Sequence, residues 1–302
     1  MQIEFNFIFF WPTFDQKNNF FVDTFEAVLR ESNLKREFDS IELEVEFHSV
    51  FGWPRKLNPL KRMFRLFLVS VKRKFLGKKI LLIWYSGELV RVPKGYDLTL
   101  SYSPTLGNNF YLPVWAIYTT NTAIPKKYDR DFVYRWDELL KERPLRNFRD
   151  NRIACAFISN PSKARLDFAR DLERMGVLDI YGTAVGKSIE SKLETSKDYI
   201  FQLCLENEES EDYVTEKPFE AWMSGNIPIY KKSGIASPIN TKAIVNITNY
   251  KPDELRKVLE DLVKDAERLK SIYCQPILSS PLDLKELERL FVEVSSKRIG
   301  KH

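Results

Sequence analysis

Along this chain, short runs rich in β-branched and aromatic residues take turns with stretches whose apolar residues recur at helical spacing. That alternation restricts the fold more than any other feature. Strands separated by helical crossovers pair in parallel, and a parallel sheet needs cover on both faces. Residues 2–10 read as a strand and 17–31 as a helix, while 41–49 (IELEVEFHS) alternates apolar with polar side chains, as a half-buried strand does. A helix is expected over 58–75, a buried strand over 79–85 and another strand over 97–102. The alternation restarts with RIACAFIS (152–159), apolar nearly throughout, as in a strand buried on both faces. Ser162 then stands where it can cap a helix with the stripe Phe168, Ala169, Leu172 and Met175, and Gly176 stands where that helix should stop. VLDIYG (177–182), YIFQLCLEN (199–207), IPIY and AIVNI are further short strands. TEKPFEAWMSG (215–225) reads as a helix capped by Thr215. The stretch 252–273 reads as one long amphipathic helix with Leu255, Val258, Leu259, Leu262, Val263, Ala266 and Leu269 on one side.

A length of 302 residues exceeds one ordinary domain and suits two. The charged, aromatic and proline-punctuated segment 124–151 is expected to pass between them, giving domains at 1–140 and 141–302. Two facing Rossmann-like halves are the natural assembly. Hydrophobic residues at 44% and charged residues at 29% place the chain among soluble globular proteins. The net charge of +5 suits an anionic ligand or an anionic membrane surface but is too small to mark a nucleic-acid binder. Histidine occurs only at His48 and His302, which excludes chemistry built on several imidazoles. Cys155, Cys204 and Cys274 are odd in number and scattered, so neither a disulfide framework nor a zinc site is expected. The opening MQIEFNFIFFW lacks a basic region and a small-residue cleavage site, and no apolar run has membrane-spanning length. A cytoplasmic location is the resulting expectation.

The chemistry concentrates in strand 199–205, loop 206–214 and helix 215–224. In parallel α/β sheets ligands bind at the carboxyl ends of strands, and a helix start offers unpaired N–H groups to an anion. Lys217 adds a full charge there, and the carboxylate of Glu216 could accept hydrogen bonds from both hydroxyls of a ribose. A nucleoside diphosphate satisfies both residues, although the bare Thr-Glu-Lys spacing equally describes an ordinary well-capped helix. Asp129-Arg130-Asp131 is the only Asp-x-Asp triplet and lies in the basic interdomain passage, where it reads as salt-bridged surface. No metal is expected.

The run YIFQLCLENEESEDYVTEKPFEAWMSGNIPIY resembles the signature of the α-1,3/4-fucosyltransferases, glycosyltransferase family 10. That family carries a pattern close to F-x-L-C-F-E-N-S, a short loop, D/G-Y-V-T-E-K, a helix and a V/I-P-I/V-Y strand. VLDIYG is similar to its V-D-V-Y/F-G element, and ISNPSKARLDFARDL to its S-N-x-x-x-x-R-x-x-F-x-x-L segment. The resemblance spans 152–250 and thins before residue 80. It implies an α/β fold of GT-B type, two facing Rossmann-like domains with the acceptor in the first and a GDP-sugar in the second. The implied reaction is inverting transfer of L-fucose from GDP-fucose to a hydroxyl of an N-acetylglucosamine-containing oligosaccharide or lipid-linked glycan, with no cofactor. Arg165 and Lys217 would neutralise the GDP phosphates, Asn207 would contact phosphates or sugar, Tyr213 would shape the nucleotide pocket and Glu216 would hold the ribose. Inversion needs a positioned base for the acceptor proton. Glu88, after the apolar strand in KKILLIWYSGELV and beside Gly87, resembles the glutamate of the family's F-Y-T-G-E-N element.

The chain departs from the family pattern at Leu89, at Glu208 and at Lys231-Lys232-Ser233-Gly234, which leaves donor sugar and acceptor more open than the fold. Another GDP-sugar, or a nucleotide-sugar-binding module without catalysis, are the alternatives. In helix 58–75, Leu60, Phe64, Phe67, Leu68, Val71 and Phe75 lie on one side, with Lys61, Arg62, Arg65, Lys72 and Arg73 largely on the other. The ordinary expectation is a domain helix with a solvated basic face. The sharper one is peripheral docking of that face to an anionic membrane, at its inner surface, where lipid-linked acceptors reside.

Overall fold

The apolar runs pair as their spacing demands. In the computed structural model, β1 (Gln2–Ile8), β2 (Glu42–His48), β3 (Lys79–Tyr85), β4 (Leu98–Ser101) and β5 (Asn109–Tyr111) form one parallel sheet in that order. The structure describes residues 2–11, 14–31, 41–50, 58–103, 106–120, 134–148, 151–160, 162–208, 210, 213–231 and 238–300. They divide into two compact units, one containing the described residues up to 120 together with 283–300, the other containing 134–282.

In the first unit the period-two alternation of β2 sends its two sets of side chains to opposite faces. Phe47 packs among Phe7, Phe21 and Phe25, with ring centroids 5.0–5.4 Å away. This face is covered by α1 (Phe20–Glu31) and by the C-terminal helix Lys285–Ile299, whose Phe291 meets Phe25 at 4.1 Å. Glu46 and His48 face the other way and are fully buried. They lie under α2 (Asn58–Phe75), whose Arg65 grips Glu46 through two hydrogen bonds of 3.0 and 2.7 Å.

The second unit holds β6 (Arg152–Phe157), β7 (Leu178–Tyr181), β8 (Tyr199–Cys204), β9 (Ile227–Tyr230) and β10 (Val245–Asn246), ordered β10-β9-β8-β6-β7 and parallel throughout. The chain adds β7 on one side of β6 and then crosses to lay β8 on the other, so the strand order reverses between β6 and β8. Its crossovers include α3 (Lys163–Arg174), α4 (Lys192–Ser196) and α5 (Lys217–Met223), followed by α6 (Pro252–Lys264) and α7 (Ala266–Tyr273). The helix Lys285–Ile299 is hereafter α8. Gly182, at the end of β7, has φ +115°, and a Cβ there would sit 2.3 Å from the carbonyl oxygen of Ile158. Only glycine permits that approach.

Several expectations need correction. The C-terminal residues 283–300, assigned by sequence to the second half, belong to the first unit, because Leu287, Leu290 and Phe291 are buried there. The single helix over 252–273 is two, since Asp265 leaves helical geometry and its carboxylate accepts from the Arg268 N–H to start α7. As a result Val263 and Ala266 are exposed rather than buried. Ser162 precedes α3 without a capping side-chain hydrogen bond, and Glu216, not Thr215, occupies the cap position of α5. The supposed passage 124–151 includes Arg143, whose guanidinium stacks on Tyr273 at 3.7 Å and donates to the carbonyls of Tyr273, Trp222 and Asn226 inside the second unit. Asp129-Arg130-Asp131 lies outside the described residues. The face of α2 expected to be solvated is the one that packs: Val69 is 1% exposed and Arg65 and Arg73 pair inward, while Leu60, Phe64, Phe67 and Phe75 point to solvent.

Candidate functional site

Where the strand order reverses, the loops after β6 and β8 diverge and leave a crevice at the carboxyl ends of both strands. A cavity of about 460 Å³ opens there, lined by Arg165 at the start of α3, by Cys204 to Glu208 at the end of β8, and by Tyr213, Tyr230 and Lys231. Burial pushes the Cys204 thiol well above its ordinary value, so that group supplies no thiolate nucleophile.

Glu206 organises the mouth of β8. Its carboxylate accepts from the Thr215 N–H at 2.9 Å, the Thr215 hydroxyl at 2.7 Å, the Lys217 ammonium at 2.8 Å and the Tyr230 hydroxyl at 3.1 Å. A carboxylate with so little exposed surface needs such partners to replace its lost hydration, and the partners in turn fix the path from β8 into α5. The Lys217 side chain is 20% exposed, and two of its donors go to Glu206 and to the Thr215 hydroxyl. It lines a small adjoining recess of about 30 Å³, shared with Arg165, Lys192 and Glu220.

Arg165 stands between the two spaces. One terminal N–H group donates to Asn207 Oδ1 at 2.7 Å and to the Asn160 carbonyl at 3.1 Å. Its Nε–H is buried and has no hydrogen-bond partner among the described residues. Burial lowers the guanidinium pKa, and the neighbouring Glu206 carboxylate and Tyr213 hydroxyl oppose that shift. A fixed cation that lines the cavity beside a neutral amide can take up an anion there.

The structure therefore brings Arg165, Asn207 and Tyr213 together at one cavity and Lys217 beside them. Glu216 lines neither space; its carbonyl begins α5 by accepting from the N–H groups of Phe219 and Glu220. Glu208 is an exposed part of the cavity lining, Lys231 also lines it, and residues 232–234 are outside the described set. Glu88 belongs to the first unit. It is half-buried just past the carboxyl end of β3, its backbone pinned by Ser86, whose Oγ accepts from Glu88 N–H at 3.1 Å and donates to Glu88 O at 2.7 Å. Glu206 and Tyr230 were not singled out from sequence. The available signal was a carboxylate two residues past a strand that is apolar but for Gln202, a place that obliges it to find donors. Among the described residues no cluster of three or more His, Cys, Asp or Glu is disposed to hold a metal ion.

Residues 148–274, which include the whole cavity, match the family described as glycosyltransferase family 10 (fucosyltransferase), C-terminal. The α-(1,3)-fucosyltransferase FucT of Helicobacter pylori is 33% identical over 118 residues, 38% of this chain and 24% of that protein. The human 4-galactosyl-N-acetylglucosaminide 3-α-L-fucosyltransferase 9 is 27% identical over 122 residues, again 38% of this chain and 34% of the relative. The chain thus spans a quarter to a third of the curated relatives it matches. A crystal structure of an α1,3-fucosyltransferase with GDP-fucose superposes with a TM-score of 0.64 at 16% identity, covering 98% of this chain and 91% of that one. This likeness extends over both units and shows that their fold is of the GT-B class.

Proposed function

We propose that this chain, whose residues 148–274 match the glycosyltransferase family 10 model, transfers L-fucose from GDP-fucose to a hydroxyl of an acceptor glycan, with inversion and without a metal. The observation that carries this is Arg165: a half-buried guanidinium that lines the cavity of the switch point and is held there by Asn207. A diphosphate suits that position, because a guanidinium matches phosphate oxygens in charge and geometry. Lys217 adds a second positive charge from the recess, and Tyr213 offers a ring to the nucleotide.

In the transfer step, the Glu88 carboxylate takes the proton of the acceptor hydroxyl. That oxygen forms a bond to the anomeric carbon on the face opposite the phosphate, while the bond from the anomeric carbon to the phosphate oxygen breaks. The electron pair leaves with GDP, and the charge that grows on its terminal phosphoryl group is met by Arg165 and Lys217. Relatives named for action on N-acetylglucosaminides support an N-acetylglucosamine-containing acceptor here.

Thermal-shift titration with GDP, UDP, ADP and CMP tests the nucleotide. GDP should raise the melting temperature of the second unit and the others should act weakly. Incubation with GDP-fucose and N-acetyllactosamine should then release GDP. Equal response to all four nucleotides, or no response to GDP, would overturn the proposal.

A further inference from the structure

Helix α2 is amphipathic, yet it packs with its polarity reversed. Leu60, Met63, Phe64, Phe67 and Phe75 follow one another along its outer side, each 62–73% exposed. Its cations are turned toward the sheet: Arg65 binds the buried Glu46, Arg62 lies over the Trp84 ring at 5.3 Å, and Arg73 pairs with Asp97 and donates to the Ile80 carbonyl at 3.0 Å. A helix of a soluble domain does the opposite. Five large apolar side chains exposed along one side of a helix exceed what a surface carries by chance, and such faces mark contact with something apolar.

Charge decides what that is. Between Asn58 and Phe75 there is no acidic residue; exposed Lys74 stands beside the Phe75 ring, and half-buried Lys61 and Lys72 lie along the border between the outer face and the packed one. A second copy docked stripe to stripe would set these lysines against their equivalents, and like-charge juxtaposition opposes such pairing. An anionic lipid surface neutralises the same lysines and offers acyl chains to the phenylalanines. The helix extends for roughly 27 Å at 1.5 Å per residue, long enough to lie in the headgroup plane. No described helix is long and apolar enough to cross a membrane.

We propose that α2 is an in-plane anchor that holds this chain on an anionic membrane, with Leu60, Met63, Phe64, Phe67 and Phe75 inserted and Lys61, Lys72 and Lys74 at the phosphates. Such an anchor suits a protein working at an anionic inner leaflet. The contact does not depend on the proposed sugar transfer.

The test is flotation of the full chain with vesicles of phosphatidylcholine, alone or with about one third phosphatidylglycerol. Binding should be at least roughly tenfold stronger to the anionic vesicles and should weaken in about 0.5 M salt. Phe64→Ser/Phe67→Ser should lose roughly tenfold or more of that binding with an unchanged melting temperature, because both side chains are already exposed. Lys61→Gln/Lys72→Gln/Lys74→Gln should abolish the preference for anionic lipid. GDP-induced thermal shifts should be the same in every variant. Equal binding to both vesicle types, or full binding by the phenylalanine variant, overturns the anchor. So does a lipid-free dimer, seen by sedimentation, that the phenylalanine variant abolishes, since the stripe would then serve a second copy.

Discussion

Arg165 stays cationic although half-buried, because Glu206 and Tyr213 oppose the effect of burial while Asn207 and the Asn160 carbonyl accept its protons. Arg165→Ala should weaken GDP binding by roughly 2–3 kcal/mol, about 30- to 150-fold in Kd, as expected for a lost charge-assisted bond. Arg165→Lys should restore part of it, since an ammonium cannot hold Asn207 and a phosphate in the same planar fork. Glu88→Gln should leave GDP affinity within about twofold while lowering transfer roughly 10²- to 10⁴-fold, the range for loss of a general base. Calorimetry with GDP, set beside turnover, separates the two roles, and a parallel loss of affinity in both variants would contradict the division. Glu206→Gln removes the counter-charge of Lys217 and should cost about 2–4 kcal/mol of second-unit stability in urea denaturation. Asn207, Tyr213 and Lys217 were legible as candidates because the run from 199 to 230 resembles a family pattern, and Arg165 because the segment 158–172 does. Glu206 was not, because the pattern names an acid without saying that four donors converge on it.

At the scale of elements, the positions of most strands were readable and the orientation of helices was not. The periodicity of α2 revealed two faces, but arginine has an apolar stem and a flat cation that can stack on Trp84 or reach Glu46, so either face could pack. The buried carboxylate and histidine of β2 decided it, and their place under α2 depends on tertiary pairing that no local pattern encodes. Burial by itself would raise the Glu46 pKa, but hydrogen bonds from His48 and Arg65, and the charge of Arg65, hold it down at about 2 against an ordinary value of 4.5. A carboxyl depressed in the folded state stabilises above its unfolded pKa, and that contribution is lost as pH falls through the folded value. The first unit should therefore lose stability between about pH 4.5 and pH 2. Tryptophan fluorescence during acid titration should follow this loss through Trp84. Glu46→Gln should be less stable near neutrality and should flatten the acid limb, whereas an unchanged acid limb would show that Glu46 does not link α2 to pH.

For the whole molecule, the decisive feature is the return of the C-terminus to the first unit. Sequence suggested two consecutive halves because each shows its own strand–helix alternation, and nothing in the local pattern of 283–302 says which sheet it will cover. In the fold, α8 buries Leu287, Leu290, Phe291 and Ile299, sets Phe291 against Phe25 at 4.1 Å, and ties Arg298 to Asp97. Four apolar side chains at about 1.5–3 kcal/mol each amount to roughly 6–12 kcal/mol, comparable with the whole stability of a typical domain at 5–15 kcal/mol. Ending the chain before Asp283 should therefore unfold the first unit. The second unit, with its sheet, the Glu206 hub and the Arg165 cavity, draws none of these residues from α8. Scanning calorimetry of the shortened chain should show one transition where the full chain shows two, and GDP should still raise the one that remains. Transfer should be absent, because Glu88 lies in the unit that has been lost. If the shortened chain kept both transitions, α8 would be an accessory to the first unit rather than part of its core. If GDP no longer shifted the remaining transition, nucleotide binding would not be a property of the second unit by itself.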